Sequence, residues 1–240
     1  MNTSLDKLTV ESTLGDILSV IGNYDDGILK NASYETGLLG YALYYSYLAK
    51  LTGESAHTAK AHDYVDRAIE ALDLKNFRRI YDTDSLDGHL SHIGRFLVFV
   101  EQQHLLEIDS AAYLDQLDEI LFDLMKSKIT IKDFDSLSGA MASGYYFLAR
   151  KKSGVNVDTQ LAYLVSSLDN FAEKDKQGDY FWKSPSLYNR VYLGISHGSS
   201  LVIAFLSQVC ELGIEKDRCK TVIRKAVNFL KKHYRVSPYK

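Results

Sequence analysis

Apolar residues recur along this chain at intervals of three and four, with charged residues between them. Leu14, Ile17, Leu18 and Ile21 make one such stripe, and Ala61, Tyr64, Val65, Ala68 and Leu72 a second. Leu114, Leu117, Leu121 and Leu124 repeat it, as do Leu161, Leu164, Val165 and Leu168, and then Val222, Ile223, Ala226 and Leu230. That is the period of a helix wetted on one side. Between the stripes lie segments of another kind: GLLGYALYYSYLAKL from Gly37, GHLSHIGRFLVFV from Gly88, GAMASGYYFLA from Gly139 and GSSLVIAFLSQVC from Gly198. These are apolar around most of a helix circumference, which requires burial on most sides. The alternation predicts an all-α fold with an inner layer of buried helices backed by an outer amphipathic layer.

The four leading glycines stand 51, 51 and 59 residues apart, and the first three open small-residue pairs, Gly37/Gly40, Gly88/Ser91 and Gly139/Ala142. A unit of about 50 residues is one helical hairpin with its loops, stacked as a solenoid or closed as a toroid. Small residues at the helix starts let backbones meet at a crowded hub. Turn-forming clusters occur at Asn23–Gly27 and Lys174–Gly178. The stretch Lys174–Asn189, carrying Tyr180, Phe181, Trp182 and Pro185, lengthens the fourth unit. No linker breaks the pattern, so residues 1–240 are expected to form a single domain.

Composition removes several classes of function. With 46% hydrophobic and 25% charged residues the chain is globular rather than disordered. A formal charge of −3 gives no general attraction to nucleic acid or anionic membrane. The longest uncharged stretch, Val191–Cys210, begins VYLGISHGSS and is too polar to face lipid, so no membrane span is expected. With only Cys210 and Cys219 and no secretion signal in MNTSLDKLTVEST, a cytoplasmic location is expected. There is no phosphate loop of the GxxxxGKS type and no G-x-S-x-G elbow.

The segments Glu35–Gly53, Asp133–Ala149 and Asn189–Leu206 resemble the inner-helix starts of lanthionine synthetase C-like proteins, the lantibiotic cyclases and their relatives. Leu-Gly-x-x-His-Gly at Leu193–Gly198 is the most specific match, and the likeness runs from about Ser4 to His233. The resemblance implies an α/α toroid of seven hairpins, of which this chain holds about four, so it is expected to be an incomplete toroid truncated at its C-terminus. The implied reaction adds peptide cysteine thiols to dehydrated Ser or Thr, closing thioether rings. The implied partners are a dehydrated precursor peptide and a dehydratase. The family's zinc ligands lie in Trp-Cys-x-Gly and Cys-His-Gly elements, and neither is present. Zinc is therefore a cofactor of the complete family fold, and none is expected for this chain.

By the same resemblance His197 is the acid/base and Asp135, four residues before Gly139, is its acidic partner. An imidazole titrates near neutrality, as proton transfer at that pH requires. The bland alternative for Asp135 is a helix N-cap, since Asp84 stands at the same offset before Gly88. Asp84 and Asp135 also admit a carbohydrate-active toroid with paired carboxylates. Cys210 and Cys219 lack the short spacing of a zinc site. His89 and His92 share a helix face without a third ligand, and His57 and His62 are expected to be solvated. The run Tyr41, Tyr44, Tyr45, Tyr47 reads as packing rather than as a peptide groove. A non-catalytic peptide- or protein-binding scaffold is the alternative function.

An interrupted ring leaves the flanks of its terminal hairpins open, and open apolar flanks drive association. The chain is accordingly expected to oligomerise or precipitate, and a clean monomer in light scattering speaks against this.

Overall fold

The computed structural model describes residues 7–22, 31–34, 37–72 and 85–233. Each predicted stripe is a helix: α1 Lys7–Gly22, α2 Leu38–Thr52, α3 Ser55–Glu70, α4 Leu86–Gln102, α5 Ala111–Thr130, α6 Ala140–Lys152, α7 Asp158–Asn170, α8 Ser199–Glu211 and α9 Lys216–His233. The pairs α2/α3, α4/α5, α6/α7 and α8/α9 are hairpins. The inner helices pack in the order α2, α4, α6, α8, with their outer partners behind them. One apolar cluster runs from Ala32 to Ala226 and joins both layers. No helix among the described residues is long and apolar enough to cross a membrane.

All four inner helices point the same way. At their C-terminal ends Lys50 Nζ on α2 donates to the Gln103 carbonyl closing α4, at 2.9 Å, and Lys152 on α6 donates to Gln208 Oε1 on α8, at 2.8 Å. At the other end, Ser85 Oγ at the start of α4 donates to Leu137 O, 2.8 Å away in the loop before α6. Behind this layer, Arg150 of α6 grips Asp118 of α5 through Nε and Nη2 at 2.7–3.2 Å, and Tyr146 donates to the same carboxylate at 2.6 Å. The Arg150 side chain is only 8% exposed. Burial of this pair is sustained by its hydrogen bonds.

Three inner helices begin with the same device. The amide of the first helical residue donates to the carbonyl seven positions upstream: Leu38 to Asn31 at 2.9 Å, Ala140 to Asp133 at 2.8 Å, Ser199 to Tyr192 at 3.0 Å. The N-cap glycines 37, 139 and 198 are extended, and loop backbone fills the space where a Cβ would stand. A Cβ on Gly139 would lie 2.2 Å from Asp135 N, and one on Gly198 would lie 2.1 Å from Tyr192 O. The crowding read from the glycine spacing is therefore real at these positions. The even spacing was partly misleading, however. Helix α4 starts after Ser85, whose hydroxyl accepts from Gly88 N. Gly88 thus lies one turn inside, where a Cβ would strike Leu137 O at 2.2 Å.

The stretch that lengthens the fourth unit carries two antiparallel ladders, β1 Glu173–Lys174 with β2 Tyr180–Phe181, and β3 Lys183–Ser184 with β4 Arg190–Val191. Asp175 closes the first turn by accepting from the Gln177 and Asp179 amides at 2.9 Å each. The open apolar flank expected on the last hairpin is also not found, since no large hydrophobic of α8 or α9 is exposed. The outward side of α9 is instead lined by exposed basic residues such as Lys216, Arg218, Lys220 and Arg224. On the first hairpin and the α1 helix beside it, Ile17, Val20, Tyr47 and Leu51 are exposed. The turn cluster Asn23–Gly27 lies outside the described residues.

Gly139→Ala is expected to destabilise the fold by about 1–3 kcal/mol, because backbone rather than a movable side chain occupies the site. Gly15→Ala, on exposed helix surface with nothing within 4 Å, is expected to gain up to about 1 kcal/mol. Urea melts of the two variants check both signs.

Candidate active site

The loops before α6 and α8 meet at the hub. Ser136 Oγ donates to Ser196 O at 2.8 Å, binding one loop to the other. Within the α6 loop, Asp133 Oδ1 accepts from the Asp135 amide at 3.1 Å, a local turn that aims the next carboxylate. Asp135 Oδ1 then accepts from the amides of Leu137, at 2.8 Å, and Ser138, at 3.2 Å. Its other oxygen, Oδ2, lies 2.6 Å from Nδ1 of His197. The two residues singled out from the sequence therefore come together, although 62 positions separate them.

The bland alternative is half right. Asp135 does cap backbone amides, but those of its own loop, while the N-cap of α6 is Gly139 without any side-chain bond. One oxygen holds the loop and the other holds the imidazole. An ionised carboxylate can only accept, so Nδ1 of His197 carries the hydrogen, and in the neutral ring Nε2 then keeps its lone pair. The Asp135 side chain is 1% exposed and that of His197 29%. The carboxylate is thus sealed while the ring reaches solvent. Tyr192 stands edge-on to the imidazole, with ring centroids 6.4 Å apart. Leu137 and Ile195, on the same two loops, are exposed.

Asp133, missed in the sequence reading, is buried, and its carboxyl is pushed above the usual carboxylate range chiefly by desolvation, with the charge of Asp135 adding to the shift. Its signal was present: Asn31 stands six residues before Gly37 as Asp133 stands six before Gly139. Asn31 Oδ1 likewise accepts from the Ser33 amide, at 2.9 Å. Ser136 had no such signal.

The other candidates stay apart from this site. Cys210 and Cys219 are free thiols, and burial pushes Cys219 up to about 12. His89 is buried, with its ring 6.2 Å from that of His92. His57 is half-buried, 3.3 Å from Glu54 and against Tyr45, and His62 is half-buried too, so neither is simply solvated. Of the tyrosine run, Tyr41 and Tyr45 pack on Tyr64, Tyr44 donates to Leu14 O, and Tyr47 is exposed. Asp84, needed for a carboxylate pair with Asp135, lies outside the described residues. Among the described residues no group of three or more His, Cys, Asp or Glu side chains is placed to hold a metal.

The sequence matches the family of lanthionine synthetase C-like proteins over residues 29–238. Among solved structures, nisin cyclase is similar in fold, with a TM-score of 0.67 at 16% sequence identity. The match covers 94% of this chain and 58% of that one, so this chain spans a little over half its length. The shared architecture is the α/α toroid, of which the described residues form four hairpins. No curated protein matches the sequence.

The raised position of Asp133 fixes the sign of a pH effect. The folded protein holds this proton more tightly than the unfolded chain, so the group's contribution to stability falls as pH rises from about 4 through the folded value. Asp133→Asn keeps the acceptor, as Asn31 does, and removes the charge. Urea midpoints are expected to show the variant at least as stable as wild type at pH 7, with any difference shrinking toward pH 4. A variant clearly weaker at pH 7 would mean that the ionised group is needed.

Proposed function

The chain belongs to the lanthionine synthetase C-like family, and from that premise we propose that it carries the acid/base part of a cyclase-type site. The observation that supports this is the His197–Asp135 hydrogen bond, with the carboxylate anchored by backbone amides and the imidazole ring partly exposed. The reaction joins the sulfur of a peptide cysteine to the β-carbon of a dehydroalanine or dehydrobutyrine. The S–H bond breaks and the C–S bond forms. The π pair moves toward the α-carbon as an enolate, which then takes up a proton. His197 Nε2 accepts the thiol proton and, as imidazolium, returns one to the α-carbon, while Asp135 holds the tautomer and stabilises the charged ring.

Zinc is the group that holds the thiol as thiolate in the complete family fold. The described residues do not fit it: no three donors converge, and the buried Cys219 is held as a thiol. No step is drawn through the metal, and the four hairpins alone are proposed to be inactive, with the zinc ligands on hairpins that complete the ring. The substrate is a dehydrated precursor peptide, prepared by a dehydratase. Its cysteines must remain reduced, and the chain's own thiols are free, so the cytoplasm is the proposed compartment. A binding scaffold would need no anchored carboxylate behind an open imidazole.

Thiol consumption in a dehydrated peptide, read by alkylation and mass spectrometry, tests the proposal. The 240-residue chain is expected to retain no stoichiometric zinc and to close no ring. In a form completed by the zinc-bearing hairpins, His197→Ala is expected to lower kcat by about 10²–10⁴ with KM little changed. Asp135→Asn is expected to act in the same direction. Ring closure by the completed form at wild-type rate without His197 would defeat the assignment.

A further inference from the structure

The inner layer has a second feature among its first three helices. A pocket of about 420 Å³ opens there, lined by Tyr34, Leu43, Arg95, Val98, Phe99, Gln102, Ala149 and Lys152. Its walls come from the loop before α2 and from α2, α4 and α6, and no outer helix contributes. Neither His197 nor Asp135 is part of this lining, which runs from Tyr34 before α2 through Arg95 in the middle of α4 to Lys152 at the end of α6.

Arg95 is the group that needs explaining. It is half-buried on α4, and among the described residues its guanidinium makes no ion pair and no hydrogen bond. Its guanidinium lies 5.9 Å from the centroid of the Tyr145 ring, and its charge acts on Tyr34. Aromatic faces hold a cation, but they leave its five donors unused. A desolvated charge without a counter-ion is costly, and the neighbouring Lys152 adds a second positive charge. Among the described residues no Asp or Glu lines the pocket. Leu43, Val98, Phe99 and Ala149 make an apolar floor, beside the Gln102 amide and the Tyr34 ring. Two cations over an apolar floor fit an anion joined to an apolar body, and the planar fork of arginine matches a carboxylate. The volume falls in the range of small-ligand sites and holds one or two amino-acid residues.

We propose that this pocket binds a peptide through a carboxylate adjoining an aromatic or branched aliphatic side chain, with Arg95 as the anchoring residue. The carboxylate is either the terminus of an apolar last residue or an acidic side chain next to one. The site needs neither metal nor acid/base chemistry, so it stands or falls separately from the role given to His197.

Calorimetric titration with N-acetylphenylalanine, its amide, and N-acetyl-aspartyl-phenylalanine amide tests this on the chain as it stands. At least one carboxylate probe is expected to bind, and N-acetylphenylalanine amide at least tenfold more weakly. The tighter of the two carboxylate probes identifies the source of the anion. Arg95→Gln is expected to bring that probe down to the level of the amide, and Arg95→Lys to retain part of its affinity. Lys152→Gln, at an exposed position that should not disturb folding, is expected to cause a smaller loss. Equal binding of acid and amide, no binding of any probe, or undiminished binding by folded Arg95→Gln would overturn the proposal.

Discussion

The arrangement depends on a steric constraint: the backbone before each of three inner helices folds so tightly against its N-cap that only glycine fits there. The bond from the first helical amide to the carbonyl seven residues upstream closes the loop, and the missing Cβ provides the space. Because the inner helices run parallel, these closed loops gather at one end of the layer. Gly88 extends the same logic between units, letting α4 approach the Leu137 carbonyl. The hub is therefore packed from backbone, which moves little, and side chains carried on it inherit that rigidity.

Repetition of the loop explains how chemistry arose at the hub without a new fold. Counting back from Gly37, Gly139 and Gly198, the position four before the glycine holds Ser33, Asp135 and Gly194, and the position immediately before it holds Thr36, Ser138 and His197. The carboxylate comes from one copy and the imidazole from the next. Neither loop alone contains a pair, and the Ser136–Ser196 bond brings the two copies into register. The division of labour within Asp135 follows as well. An oxygen tied to two amides cannot swing, so the other oxygen meets the ring in one geometry.

Much of this was legible in the sequence because helical hairpins write their burial directly into three-and-four spacing. The two layers, the hairpin count and the inner helices follow from that periodicity. His197 and Asp135 were found through a resemblance at Leu193–Gly198, since nothing in local spacing brings together residues so far apart in the chain. The start of α4 was misplaced because Gly88 resembles its counterparts in sequence, while the capping work is done by Ser85. The small ladders of residues 173–191 escaped because strands of two residues leave no alternation to read. That the Arg95 guanidinium has no ion pair among the described residues is a property of three helices at once, which the spacing along one helix does not show.

The parallel inner layer also accounts for the different characters of its two ends. Aligned helix dipoles place partial positive charge at the N-termini and partial negative charge at the C-termini. Carboxylates collect at the first end, where Asp87, Asp133 and Asp135 are all buried. Cations collect at the second, where Lys50 caps the carbonyl end of α4 and Arg150, Lys151 and Lys152 fill the last turn of α6. In an antiparallel bundle the dipoles would oppose one another and both ends would be mixed. Here the hairpin connectivity sends every return path through the outer layer, so the inner helices cannot alternate. The carboxylate-held imidazole at the N-terminal end is thus a consequence of this topology.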